Sequence, residues 1–410
     1  MSRLNERIAR LARISATPPD QGITRESYTV LYEEGLGLVE GWMAEAGLTT
    51  RRDAAGNVFG RLEGSSAGGP CLLVGSHLDT TLNAGPLDGV YGVLAAIEAV
   101  DRLRGSDGAP RRPVEVVAIT AEEPRFATGC LGSRALVGDL SAEVARGLTD
   151  REGITLAEAM QRLSMDPERI HEARLPDGYA DLFVELHIEQ GAVLEQRGAR
   201  LGIVNAIAAP HDLRLTVTGT AAHAGTTPME LRHDAFLGAA EIALAVEAGA
   251  LASATGRTVG TVGAVSVRPG ANNIVPGHVE IEVDIRDTDL DAREAVAAEM
   301  LSAAEAVCAR RGLELDVQTI AKDKPVSCSE TVQKAVAEAC AECGIEGHVM
   351  ASGAYHDAMV LAREMPVGML FVPSAGGVSH HPDEYTDPAD LDLGVDVLAG
   401  TLRRLVEPAS

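Results

Sequence analysis

At 410 residues the chain exceeds one ordinary hydrophobic core, so two domains are expected. Its composition, 46% hydrophobic and 23% charged, is that of a soluble globular protein, and a formal charge of −25 argues against a nucleic-acid partner. No apolar run reaches the roughly 18 residues of a membrane span, and the 6 scattered cysteines form no disulfide framework and suit a reducing cytoplasm.

Leu4, Ile8, Leu11 and Ala12 mark one face of a docked first helix. The recurring Arg3, Arg7, Arg10 and Arg13, broken by Glu6, are therefore not read as a targeting segment. A second helix is expected over 28–47, stopped at Gly47, then strands over 56–62 and 70–76, a helix over 88–104 and a strand over 114–120. Alternation of this kind implies a mostly parallel, helix-covered sheet. Residues 134–175 read as surface helices, and 182–188 as a strand.

From about 209 the rhythm changes to strand 211–219, helix 231–249, strands 259–267 and 276–286, helix 290–311 and strand 313–317. That order is ferredoxin-like. After 322 the first rhythm returns, with helix 330–342, strand 346–350, helix 356–364, strand 367–372 and helix 388–407. The expected architecture is a discontinuous α/β domain, 1–208 and 323–410, with an inserted α+β domain over 209–322.

The chemistry gathers where strands of the first domain end. In an open α/β sheet, ligands bind beyond the carboxyl ends of the strands. The run Cys71-Leu72-Leu73-Val74 leads into Gly75-Ser76-His77-Leu78-Asp79-Thr80, and Asp88 stands at the mouth of the next helix. His77 and Asp88 open a candidate two-metal hydrolase site. Glu122-Glu123 follows another strand, and adjacent carboxylates raise each other's pKa. A metal relieves this if one carboxylate binds it and the other stays free as a base. His187 ends the next strand, Tyr355-His356-Asp357 follows another, and Ser379-His380-His381 follows the last. Imidazoles and carboxylates at one sheet edge suit borderline and harder divalent ions. Gly64-Ser65-Ser66-Ala67-Gly68 matches a nucleophile elbow, but a strand follows it instead of a helix, so it reads as a loop. Cys340 and Cys343 have no second pair and carry no zinc or redox role.

The segments GSHLDT, LDGVYGVLAAIE, AEEPRF, LHIEQG, AAHAGTTPM, ANNIVPG, VDIRDTD and SHHPDEYT, in this order over nearly the full chain, resemble the amidase/hydantoinase/carbamoylase branch of the dinuclear metallopeptidase-like amidohydrolases. That family includes N-carbamoyl-L-amino acid amidohydrolases, β-ureidopropionases, allantoate amidohydrolases and ureidoglycolate amidohydrolases. The resemblance implies two divalent ions, zinc or manganese ahead of cobalt or nickel. His77 and His187 would hold one, Glu123 and His380 the other, with Asp88 between them and Glu122 as general base. Asp79 would orient His77 through its other ring nitrogen. Gln190, His223, Asn273, Arg286 and His356 would contact substrate, with His223 also stabilising the oxyanion. The inserted domain would be a lid and the dimerisation surface of a cytoplasmic homodimer.

The implied reaction is hydrolysis of the terminal ureido C–N bond of a small carboxylate-bearing ureido acid, such as ureidoglycolate or an N-carbamoyl-L-amino acid. Allantoate hydrolysis and an aminoacylase or dipeptidase activity are the alternatives. A non-enzymatic binding protein of this fold should have lost ligands or base, and this chain keeps both. Three places depart from the family pattern. Pro124 follows the glutamate pair and shifts Arg125, Tyr355 replaces a glycine, and His381 replaces an Asn or Ser.

Overall fold

The computed structural model describes residues 2–66, 69–107 and 110–406. In chain order the elements are α1 (Arg3–Leu11), α2 (Val30–Glu45), β1 (Thr49–Arg52), β2 (Val58–Leu62), β3 (Cys71–His77), α3 (Val90–Asp107), β4 (Val114–Ile119), α4 (Leu131–Leu136), α5 (Ala142–Gly147), α6 (Leu156–Arg162), β5 (Ala180–Ile188), α7 (Val193–Arg197) and β6 (Gly202–Ile207). There follow β7 (Ala209–Thr218), β8 (Ala222–His223), α8 (Ala235–Leu251), β9 (Val259–Arg268), β10 (Ile274–Val275), β11 (His278–Asp287), α9 (Leu290–Arg311), β12 (Glu314–Lys322) and β13 (Val326–Ser327). The chain closes with α10 (Glu330–Glu342), β14 (His348–Ser352), α11 (Asp357–Leu361), β15 (Val367–Val372) and α12 (Pro388–Val406). Ala67 and Gly68 of the Gly64–Gly68 loop, and Glu407 of the expected last helix, lie outside the described residues.

The chain divides into two compact units. One is Met1–Asn205 with Cys328–Ser352 and His356–Ser410, and the other is Ala206–Ser327 with Gly353–Tyr355. In the first, the sheet order is β1-β2-β4-β3-β5-β15-β6, with β14 added beside β6. The four central strands, β4, β3, β5 and β15, are mutually parallel, while β2 and β6 flank them antiparallel. Strands β3 and β4 are buried at every position, which is why they read as unbroken apolar runs. Gly75 marks how tightly they pack, since a Cβ there would come within 1.9 Å of the Val117 carbonyl oxygen. Helices α1, α2, α3, α10 and α12 supply most of the remaining main core. Arg7 of α1 is buried with them and paired to Glu98 at 2.8 Å.

Residues 134–175 are not only surface helices. Leu140, Leu156, Met160 and Ile170 are buried in a second core with Tyr28 and Phe126, whose rings meet edge to face at 6.0 Å. Arg125 donates to the Ser27 carbonyl and pairs with Asp150 at 3.1 Å. Of the two residues after Pro124, Phe126 is part of that core and Arg125 is anchored by polar contacts. Strands β1 and β6, four and six residues long, were not anticipated.

In the second unit the sheet order is β12-β7-β11-β9, all antiparallel, with the connectivity strand, helix, strand, strand, helix, strand of a ferredoxin-like fold. Strand β11 alternates between half-buried and buried residues. Val279, Ile281, Val283 and Ile285 pack with Ile242 and Val246 of α8 and Met300 of α9. Arg293 is fully buried, and its Nη1 donates to the carbonyls of Ala209, Pro210 and Asp323.

Candidate metal centre and active site

His77 is the last residue of β3, and His187 is the penultimate residue of β5. Their rings lie 5.8 Å apart between centroids. The Nε2 atoms of both stand 3.3 Å from Oδ1 of Asp88. Each Nδ1 is taken by a backbone carbonyl, His77 by Asp79 at 3.1 Å and His187 by Ile188 at 2.9 Å. With the ring proton on Nδ1, Nε2 offers a lone pair. The Gly89 N–H, 3.1 Å from Nε2 of His187, also addresses that atom as an acceptor. In that tautomer two imidazole lone pairs face one carboxylate oxygen, an arrangement that a cation held among them makes attractive. Gly89 has φ 64°, and a Cβ there would lie 2.3 Å from the His77 ring, so no larger residue fits.

The second cluster is Asp88, Glu123 and His380, whose candidate donor atoms lie within 4.8 Å of one another. His380 Nε2 is 3.1 Å from Asp88 Oδ2 and 3.4 Å from Glu123 Oε1, which is buried and has no hydrogen-bond partner. An orphaned buried carboxylate oxygen is costly unless a cation satisfies it. Burial, reinforced by Asp88, pushes the Glu123 carboxyl up to about 7. The residues present therefore fit two divalent ions, and Asp88 turns one oxygen toward each cluster.

Glu122 stands apart from both clusters. Its Oε2 is 3.8 Å from His77 Nε2, and its Oε1 accepts from the Cys130 thiol at 3.6 Å. Burial raises the Glu122 carboxyl well above its usual range.

Asp79 meets His77 at its other ring nitrogen, but through the backbone and not the side chain. Its backbone carbonyl takes His77 Nδ1, and its carboxylate lies 3.8 Å away from that nitrogen. The carboxylate instead accepts the backbone N–H groups of Glu122 and Glu123, at 3.2 and 3.0 Å. It fixes the turn that sends the two glutamates to different ends of the site.

Gln190 Nε2 donates to Asp88 Oδ2 at 2.7 Å, which places it against the bridging carboxylate. His356 is buried behind His187, with ring centroids 4.8 Å apart and Nε2 bonded to Ser352 Oγ at 3.0 Å, so any substrate contact must use Nδ1. In the second unit β8 and β10 pair His223 with Ile274, which brings His223 beside Asn273. Arg286 is held by Asp284 at 2.7 Å, with Nη1 donating to the Gly353 carbonyl at 3.2 Å. The Tyr355 hydroxyl donates to Asp323 at 3.3 Å. His381 is exposed and accepts the Asp383 N–H, so it does not compete with His380.

Two carboxylates escaped the sequence reading. Glu185 accepts the Ser76 hydroxyl at 2.7 Å and the Ala358 N–H at 3.2 Å. Glu384 accepts the N–H groups of Leu87 and Asp88. Glu384 sits in the same segment as His380, but its partners lie in the opening segment of the site, and nothing local announces the contact.

The model of peptidase family M20/M25/M40 matches residues 73–404. The N-carbamoyl-L-amino acid amidohydrolase of Geobacillus stearothermophilus is 42% identical, covering 99% of this chain and 98% of that protein. The ureidoglycolate hydrolase of Oryza sativa subsp. japonica is 40% identical, covering 98% and 84%. The crystal structure of an amidase of the hydantoinase/carbamoylase family from Burkholderia multivorans superposes with a TM-score of 0.89 at 34% identity, covering 99% of this chain and 98% of that one. Enzymes of this family use divalent metal ions, and the chain has a paired set of residues to hold them. The chain belongs to peptidase family M20/M25/M40, within its hydantoinase/carbamoylase amidase branch, and is a metal-dependent amidohydrolase.

Proposed function

We propose that the chain hydrolyses the terminal ureido C–N bond of a small carboxylate-bearing ureido acid, ureidoglycolate or an N-carbamoyl-L-amino acid. The observation that carries this reading is the double acceptor cluster around Asp88 with Glu122 held beside it, in a chain similar to enzymes named for those two substrates. One ion would rest on His77, His187 and Asp88, and the other on Asp88, Glu123 and His380. Zinc or manganese suits these donors best. When bound, the ions supply Lewis acidity toward the ureido carbonyl and lower the pKa of water. Glu122 accepts the proton of the attacking water and returns it to the departing nitrogen. The terminal nitrogen leaves as ammonia, and the remaining carbamate loses CO2 to free the amine.

His223 would stabilise the oxyanion, Asn273, Gln190 and His356 would orient the substrate, and Arg286, pre-oriented by Asp284, would take its carboxylate. The second unit would act as lid and as the interface of a homodimer. Support for that interface is apolar surface it leaves exposed, Leu244 and Leu251 of α8 with Val259 and Val265 of edge strand β9. A monomeric mass at micromolar concentration would remove the dimer. Six free cysteines, five of them buried, favour a cytoplasmic setting.

The test is an activity panel on ureidoglycolate, allantoate, β-ureidopropionate and N-carbamoyl-L-amino acids with manganese supplied, alongside a dipeptide and an N-acyl amino acid. Ammonia release from ureidoglycolate or from an N-carbamoyl-L-amino acid is the expected result. Turnover of the peptide or acyl compound alone, or activity that survives a chelator, would overturn the reading. In the same panel Arg286→Ala is expected to raise KM about 10- to 100-fold for carboxylate substrates, the size of a charge-assisted pair. An uncharged amide analogue that suffers equally would refute the clamp.

A further inference from the structure

Asp88 is the carboxylate common to both acceptor clusters, with Oδ1 toward His77 and His187 and Oδ2 toward His380. Its oxygens can serve two ions only if the turn that carries it is fixed against the His380 loop. Glu384 joins the two through the backbone. Glu384 is 4% exposed, and its Oε1 accepts the N–H groups of Leu87 at 2.7 Å and Asp88 at 3.1 Å. Its Oε2 lies 3.0 Å from the Ser379 hydroxyl, which is also 2.8 Å from Asp88 Oδ2. A serine has one proton for these two carboxylates. Glu384 is the acceptor that can keep it when Asp88 Oδ2 is engaged by a cation.

The surroundings are shaped to this contact. A Cβ on Gly85 would come within 2.2 Å of the Glu384 side chain. His380 has φ 54°, a left-handed conformation that a non-glycine residue keeps only where its neighbours hold it. The other cluster is less dependent on this tie, because His77 and His187 are oriented by the carbonyls of Asp79 and Ile188.

We propose that Glu384 is a positioning residue that fixes the Asp88 turn against the His380 loop and so sets the cation affinity of the Asp88, Glu123 and His380 cluster. This rests on the reading that those residues hold an ion. The experiment titrates metal-depleted protein with Mn2+ and follows free Mn2+ by its electron paramagnetic resonance signal, without reference to turnover. Wild type is expected to take up two equivalents. Glu384→Ala is expected to weaken one equivalent by about 10- to 100-fold, the usual cost of losing an outer partner, and to leave the other within about threefold. Glu384→Gln, which keeps an acceptor for the two amides, should fall between. Ser379→Ala should weaken the same equivalent by a smaller factor. Two unchanged equivalents in a folded Glu384→Ala protein would overturn the proposal, as would equal weakening of both. If circular dichroism shows that Glu384→Ala does not fold, Glu384→Gln and Ser379→Ala decide by the same criteria. Failure of the two-ion reading is visible separately, as fewer than two equivalents in wild type.

Discussion

Glu122→Gln is expected to lower kcat by on the order of 10² or more while both ions still bind. The amide keeps the size of the side chain and can still accept from the Cys130 thiol, but it cannot accept a proton from water. Neither acceptor cluster includes Glu122, which is why ion uptake should be indifferent to the change. The loss should fall on kcat more than on KM, because proton transfer belongs to the transition state and not to ground-state binding. Turnover near the wild-type rate would remove Glu122 as the base. A matching loss of bound metal would instead make it a ligand.

Asp88→Ala is expected to abolish activity by emptying both halves of the centre. No other side chain offers an oxygen to His77, His187 and His380 together among the described residues. Losing it should weaken both ions by more than the roughly 10- to 100-fold typical of an outer partner. The measurement is metal content after dialysis, read beside the Glu384 variants, where one equivalent alone should weaken. A variant that retains one tightly held ion would show that the two clusters do not depend on a common carboxylate.

How far such a site can be read from sequence depends on how local each contact is. His77, Asp88 and the Glu122-Glu123 pair were legible because buried parallel strands are continuous apolar runs, and the first polar residues after them stand at the ligand-binding edge. Edge strand β1 and the inner strand β6 were not, since strands of four and six residues carry little pattern. The second core was hidden for a related reason. Helices of six or seven residues, such as α4 to α6, are too short to display a periodicity, and their anchor, Phe126, lies outside them. Asp79 shows another limit. Its spacing from His77 is visible in the chain, yet only the fold reveals that the Glu122 and Glu123 amides turn back onto its carboxylate. Glu384 and its amide partners are further apart still, and no spacing rule joins them.

The strand order also bears on how the protein is made. Strand β15 lies between β5 and β6, parallel to one and antiparallel to the other. On the ribosome, β5 is complete at Ile188, but its partner on that side does not begin until Val367. At about 5–20 residues per second, the open edge waits roughly 10–40 s for that partner. During this interval the whole of β7 to β12 emerges, with its own core and contacts local to it, and can complete its fold first. The seam through the middle of the host sheet is thus the last part of that sheet to close, and the nascent chain must keep an apolar strand edge from pairing elsewhere until it does.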